Sequence, residues 1–232
     1  MPAVNTELLF SVLDKLDQLD QRFIIVGGAI VGLLVDHPEL IDFRPTKDVD
    51  ILVEVASRID YSRLEEKLRA LGLRHDTSED APICRWIVNP SAKLDVLPLN
   101  ADILGFSSEW FEEAWEHPQK ITLEERNIET ISPVYLIASK LAAFTNRGNQ
   151  DFWMSHDLED LITVIDGRES IVDEIQHSKK DVREYIANPL CDYLNETDFI
   201  QALPAYLDSD LASQERLPSL CQKMDRIAQI SY

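Results

Sequence analysis

The chain is short of the residues that staple small folds together. Among 232 residues there are three cysteines and seven glycines. Cys84, Cys191 and Cys221 lie far apart, and no Cys-x-x-Cys pair occurs. Neither a disulfide framework nor a thiolate zinc site is therefore suggested. His-x-x-x-His and His-x-x-Glu-His groupings are also missing, which argues against a zinc hydrolase. Long apolar runs are absent too. The longest, Phe23 to Val35, has 13 residues and includes three of the glycines, too short to span a bilayer. The N-terminus lacks a basic region followed by an apolar core and a small-residue cleavage site. These absences predict a soluble, cytoplasmic protein with no membrane partner. Positive charge is scarce as well. Lys and Arg number 22 against 42 Asp and Glu, a formal net charge of −20. That speaks against coating nucleic acid or anionic membrane through bulk charge, though a local basic groove is still allowed. The deficit is uneven: residues 1–100 carry 11 basic and 17 acidic groups, and residues 101–232 carry 11 and 25.

What is present is ordinary globular composition, 45% hydrophobic and 28% charged, which rules out a largely disordered chain. The length admits one large domain or two small ones. The first half mixes strand and helix patterns. Asn5 and Thr6 precede an amphipathic helix to about Asp20. Arg22–Val26 and Asp48–Val55 read as strands, and Ala29–Val35 as a buried helix between them. Residues 36–45 read as a loop. Asp60 can cap a helix through Ala70 that Gly72 ends. Pro82–Val88 and Lys93–Leu97 are strands joined by an Asn89-Pro90-Ser91 turn, and residues 122–131 suggest one more. From Ser132-Pro133 the patterns turn helical, with breaks at Gly148-Asn149-Gln150, Asn188-Pro189 and Leu203-Pro204. The expectation is an α/β part over residues 1–131 and a helical part over 132–232.

The most informative stretch is Arg44-Pro45-Thr46-Lys47-Asp48-Val49-Asp50. Side chains alternate along a strand, so Asp48 and Asp50 share a face, roughly 7 Å apart along the chain. Two like charges that close repel unless a cation lies between them, and hard divalent cations prefer oxygen ligands. A lone pair of this kind is more often a solvated strand end. Asp95, isolated in the apolar strand Lys93–Leu97, offers a third carboxylate, as a further ligand or a general base. Three carboxylates can hold two metal ions for displacement at phosphorus. Gly27-Gly28, at the end of the first strand, lets the backbone turn tightly. The pair either approaches a phosphate or allows close packing. The spacing Gly-Gly-x-x-x-Gly is not that of dinucleotide folds, and no Gly-Lys-Ser/Thr follows, which excludes a P-loop.

On the helix from Pro133, Val134, Leu136, Ile137, Leu141 and Phe144 form an apolar stripe, with Lys140 at its edge and Arg147 on nearly the same line. A lysine there either snorkels to water or meets an anion. On the helix from Ser155, Asp157 borders the stripe and Asp160 lies further off. Asp157 is either an acid favoured at the helix N-terminus or a partner for Lys140 or Arg147.

Taken in order, Gly27-Gly28, Arg44-x-Thr46-x-Asp48-Val49-Asp50, Asp95, Lys140-Leu-Ala-Ala-Phe-x-x-Arg147 and Asp157-Leu-Glu-Asp160 resemble the nucleotidyltransferases of the DNA polymerase β superfamily. More narrowly, they resemble the AbiEii-type family, which includes toxins of type IV toxin–antitoxin systems. The resemblance implies a mixed sheet flanked by helices and followed by a helical bundle. It implies Mg²⁺ on Asp48 and Asp50, with Asp95 completing the metal site or accepting a proton. It also implies NTP phosphates held by Gly27, Gly28 and Lys140, within a nucleotide-binding set that takes in Thr46, Lys47 and Arg147. Asp157 becomes the acid of the last motif, with Asp160 as the alternative. The activity implied is transfer of a nucleotidyl group from an NTP to a hydroxyl of tRNA or protein, with a cognate antitoxin as possible partner. A small cationic acceptor such as an aminoglycoside, or a non-catalytic nucleotide-binding protein, are the alternatives. Nineteen residues separate Gly28 from Asp48, a long interval that suggests an extra loop at the site over residues 36–43. His156 stands where a basic residue is expected.

Overall fold

The computed structural model describes residues 5–105, 109–147 and 151–231. The chain divides into two compact units. One comprises Pro2–Ile30 and Arg44–Ile131, the other Val31–Phe43 and Ser132–Tyr232.

The first unit is built on a mixed sheet. Its strands are β1 (Phe23–Val26), β2 (Asp48–Val53), β3 (Arg74–His75), β4 (Arg85–Asn89), β5 (Ala92–Pro98), β6 (Gln119–Leu123) and β7 (Arg126–Thr130). They run in the order β3-β4-β5-β2-β1-β7-β6. β2 and β5 pair in parallel, as do β1 and β7, and the other neighbours are antiparallel. Val49, Ile51 and Val53 of β2 and Leu94 and Val96 of β5 are buried. Alternation along these two central strands leaves the other side of the sheet to Asp48, Asp50 and Asp95. The unit's helices are α1 (Thr6–Leu16), α2 (Arg58–Ala70), α3 (Ala101–Leu104) and α4 (Phe111–Glu116). The apolar positions of α1, Leu8, Leu9, Val12, Leu13 and Leu16, are buried, and α1 lies against β2 and β5. Tyr61 of α2 donates to the Val96 carbonyl at 2.9 Å. The expected final strand is a hairpin, β6 and β7.

Two local readings are refined. The buried helix expected after Gly27 is a 3₁₀ helix, Gly28–Leu33. The cap of α2 is Ser57, not Asp60. The Ser57 hydroxyl accepts from the Asp60 amide at 3.2 Å and donates to the Asp60 carboxylate at 2.7 Å. Asp60 thus sits in the first turn, where the helix dipole favours an acid.

The second unit is helical: α5 (Pro133–Arg147), α6 (His156–Gly167), α7 (Ile171–His177), α8 (Lys180–Tyr193), α9 (Thr197–Ala202), α10 (Leu211–Gln214) and α11 (Leu217–Ala228). Ser155 caps α6, its hydroxyl accepting from the Leu158 amide at 3.3 Å. Phe144, Phe152, Tyr193 and Phe199 form an aromatic cluster with ring centroids 5.3–5.8 Å apart, a spacing that suits tilted and edge-on packing. Lys223 closes the end of α6, donating to the carbonyls of Ile165, Asp166 and Arg168 at 2.9, 2.7 and 3.1 Å.

Two expectations fail here. Pro189 does not break a helix but lies inside α8. The buried stripe Val182, Ile186 and Leu190 holds that helix across the hydrogen bond that proline cannot make. Residues 36–43, expected as an extra loop, hold a 3₁₀ turn at Pro38–Leu40 and group with the helices: the Asp36 amide donates to the Gly167 carbonyl at 2.9 Å, and just before it Arg168 donates to the Leu34 carbonyl at 3.0 Å. A Cβ on Gly167 would stand 2.8 Å from Val35 and Ile41 side-chain carbons, so the glycine admits this segment. The Gly148-Asn149-Gln150 break lies outside the described residues. Among the described residues no helix is long and apolar enough to cross a membrane.

The cap assignment is open to measurement. Ser57→Ala is expected to lower the free energy of urea unfolding by about 1 kcal/mol. Asp60→Ala, which keeps the serine cap, should cost roughly half as much. The reverse order would return the cap to Asp60.

Candidate functional site

In the sheet unit, register brings the three carboxylates together. Asp50 of β2 is directly opposite Asp95 of β5, and Asp48 stands one pleat back on the same face. Neighbouring strands lie about 5 Å apart, so two ionised carboxylates repel by roughly 3 kcal/mol at an effective dielectric of 20. Such a row needs positive charge. Arg85 of β4, opposite Asp95 on its other side, supplies it. Its Nε and Nη2 donate to the two Asp95 oxygens at 2.8 and 2.7 Å, and Nη2 also donates to Asp48 Oδ2 at 2.7 Å. Asp95 is 5% exposed. The Asp95 hydrogen bonds outweigh burial and raise the Arg85 guanidinium further above its ordinary range.

Arg85 was invisible in the sequence pattern because of one irregularity. Asn89 pairs with Ala92, and an uninterrupted hairpin from there would set Trp86 opposite Asp95. The register instead shifts between Ile87 and Asn89, and Arg85 takes that place. A bulge re-aims a side chain in this way, and nothing in the residue types marks it.

Asp50 is held from the other side by β1. Val26 pairs with Asp50, and Gly27 follows at φ +78°. A Cβ on Gly27 would collide with Asp50 Oδ2 and stand 2.9 Å from its Cγ. Gly27 is thus required twice, by its left-handed backbone and by the carboxylate packed on it. The close approach at Gly27 is to a carboxylate of the neighbouring strand. Thr46 donates weakly to the Asp48 carbonyl at 3.4 Å, and Lys47 is exposed. The adjacent Cys84 is no nucleophile at neutral pH, since burial and then the Asp95 charge push its thiol up to about 12.

The donors are those a hard divalent cation takes, carboxylate oxygens on one face, and a guanidinium already occupies a cation's place among them. The residues therefore fit Mg²⁺ in kind. As they stand, no group of three or more His, Cys, Asp or Glu is arranged to hold a metal among the described residues.

In the helical unit, Lys140 of α5 is the centre of a second cluster. Its Nζ lies 3.1 Å from Asp157 Oδ1 and 2.6 Å from Asp160 Oδ2, with its side chain 15% exposed. Both acids meet the lysine. Burial alone would lower the Lys140 ammonium, but Asp160 and Asp157 outweigh it, and the net shift is upward. His156 pairs with Glu159 on the surface. The Arg147 side chain lies outside the described residues.

No protein-family profile matches the chain, and no curated protein does. Solved structures do match. One is an antigenic nucleotidyltransferase-like protein from Paracoccidioides brasiliensis, 19% identical, with 86% of this chain and 93% of that one covered and a TM-score of 0.49. Another is the antibiotic-resistance factor ANT(2'')-Ia, 18% identical, with 84% and 95% covered and a TM-score of 0.48.

Two experiments probe these clusters. Gly27→Ala should destabilise the protein by about 2 kcal/mol, and Asp50→Ala in the same chain should recover part of that, a coupling of about 1 kcal/mol in a double-mutant cycle. Strict additivity would separate the two residues. Lys140→Met leaves the buried Asp160 and the half-buried Asp157 without their cation and should cost about 3 kcal/mol in urea unfolding. Because the folded pKa of Lys140 is raised, its stabilisation is complete below the unfolded value of about 10.4. It is lost as pH rises through the folded one, so the alkaline fall in stability should be shallower in Lys140→Met.

Proposed function

We propose that the protein is a nucleotidyltransferase that moves a nucleoside monophosphate from an NTP to an acceptor hydroxyl. The observation that carries this reading is the row of Asp48, Asp50 and Asp95 on one face of two paired strands, closed at one side by Gly27. Bound there, Mg²⁺ would neutralise phosphate oxygens and orient the triphosphate. Asp48 and Asp50 are its first ligands, Asp95 the third ligand or proton acceptor. The acceptor oxygen bonds to the α-phosphorus, the bond to pyrophosphate breaks, and the hydroxyl proton leaves to a base. The chain's part is positioning and charge balance. Gly27 fixes Asp50, and Arg85 balances the charge of Asp95 and Asp48. In the helical unit we assign Lys140 to the triphosphate, with Asp157 and Asp160 as its counter-ions. Gly28, Thr46, Lys47 and Arg147 complete the assigned nucleotide contacts.

The resemblance to AbiEii-type toxins points to a tRNA 3′ end or a protein hydroxyl as acceptor, and to an antitoxin as partner. The net charge of −20 favours a second reading for the acceptor alone, a small cationic molecule of the aminoglycoside kind. An acidic surface attracts such a molecule and repels a phosphate backbone.

Incubation with each α-labelled NTP, Mg²⁺ and in turn tRNA, cell protein and aminoglycosides tests both. Label transfer is expected to one acceptor class, with a loss of about a hundredfold or more in Asp50→Ala. No transfer to any acceptor, or equal transfer by the variant, overturns the proposal.

A further inference from the structure

We propose that Arg85 is a resident counter-cation of the carboxylate row, which a divalent cation must displace from Asp48 and Asp95 in order to bind. The inference rests on the nucleotidyltransferase reading and adds a competitor inside its metal site.

The geometry supports competition. Arg85 engages both oxygens of Asp95 and one of Asp48, the same atoms that would face an ion on this side of the sheet. A planar guanidinium holding one carboxylate by two parallel bonds is the most strongly bound form such a pair takes. A second, doubly charged cation against the same oxygens meets the guanidinium at close range, and screening by water is weakest at Asp95, which is 5% exposed, against 39% for the Asp48 side chain. Nor is the arginine there by default of the fold. The register shift between Ile87 and Asn89 is what brings it opposite Asp95. Without that shift the row would face Trp86, and the three acids would lack this charge. Lys93, two residues before Asp95 on the same strand, is committed elsewhere, to Asp76 at 2.7 Å.

Competition has a signature that a purely structural arginine lacks. Where the binding-competent state is a fraction of the population, the apparent affinity falls by that fraction, and removing the competitor restores it. Removing a merely structural arginine loosens the site and weakens binding.

The test is a titration of the full chain with Mn²⁺ at fixed ionic strength, followed by the electron paramagnetic resonance signal of the free ion. Thermal melting is recorded in chelator and in Mn²⁺. Arg85→Gln should bind Mn²⁺ about tenfold more tightly than the wild type. It should melt lower than wild type in chelator and gain more from the ion. Arg85→Lys, which keeps a charge but not the fork, should fall between and serves if the glutamine variant does not fold. Lys120→Gln, on the edge strand β6 three strands from β2, removes the same charge far from the row and should stay within about twofold of wild type. Unchanged or weaker binding in both Arg85 variants overturns the inference alone, as does equal tightening in Lys120→Gln. Absence of any Mn²⁺ binding that Asp50→Ala abolishes, in wild type and Arg85 variants alike, overturns the metal-dependent reading itself.

Discussion

Mutual repulsion among three carboxylates on adjoining strands is the constraint around which the sheet unit is organised. Asp50 and Asp95 are paired residues of a parallel ladder, and their spacing is fixed by backbone hydrogen bonds that no side chain can stretch. Separating the charges is therefore not an available relief; only compensating them is. One end of the row is compensated by the Arg85 fork. The other rests on Gly27, whose missing Cβ leaves room for the Asp50 carboxylate. The β4–β5 register shift brings Arg85 to one of these acids, and the left-handed turn after β1 makes room for another.

The helical unit repeats the theme with the signs exchanged. A single ammonium, Lys140, is drawn into a largely apolar interface between α5 and α6 and lies against two acids from successive positions of one helix face. The spacing of Asp157 and Asp160, three residues apart, puts both on one side of α6. Such a cluster is worth less as stabilisation than as specification. A hydrophobic replacement of the whole set could be as stable, but loss of one member leaves a buried charge unmatched.

Much of this was legible in the sequence, for reasons particular to each residue. Alternation along a strand is enough to put Asp48 and Asp50 on one face. The apolar stripes of α5 and α6 are enough to mark Lys140 and Asp157 as lying at their edges. Capping chemistry placed the start of α6 at Ser155. What escaped shares a physical cause: it depends on pairings between distant segments. Arg85 meets Asp95 through a one-residue shift in a hairpin, and no local preference encodes that shift. Residues 36–43 read as a loop because their partners, such as Gly167 and Glu169, are more than a hundred positions away. Pro189 breaks a helix in isolation and is carried by tertiary burial in α8. Asp160, read as lying off the stripe, proves buried because the lysine draws it in.

The segment 31–43 has a bearing on how this chain can be divided. It leaves the sheet unit after Ile30, serves as part of the helical unit, and returns at Arg44. The chain thus passes between units three times, although its composition changes only once, near residue 131. A fragment ending at residue 131 would carry a stretch whose partners, at the end of α6, are missing. The complementary fragment would leave Gly167 and Arg168 with carbonyl and guanidinium groups that have lost their mates. A cut between residues 131 and 132 therefore does not follow the division between the two units.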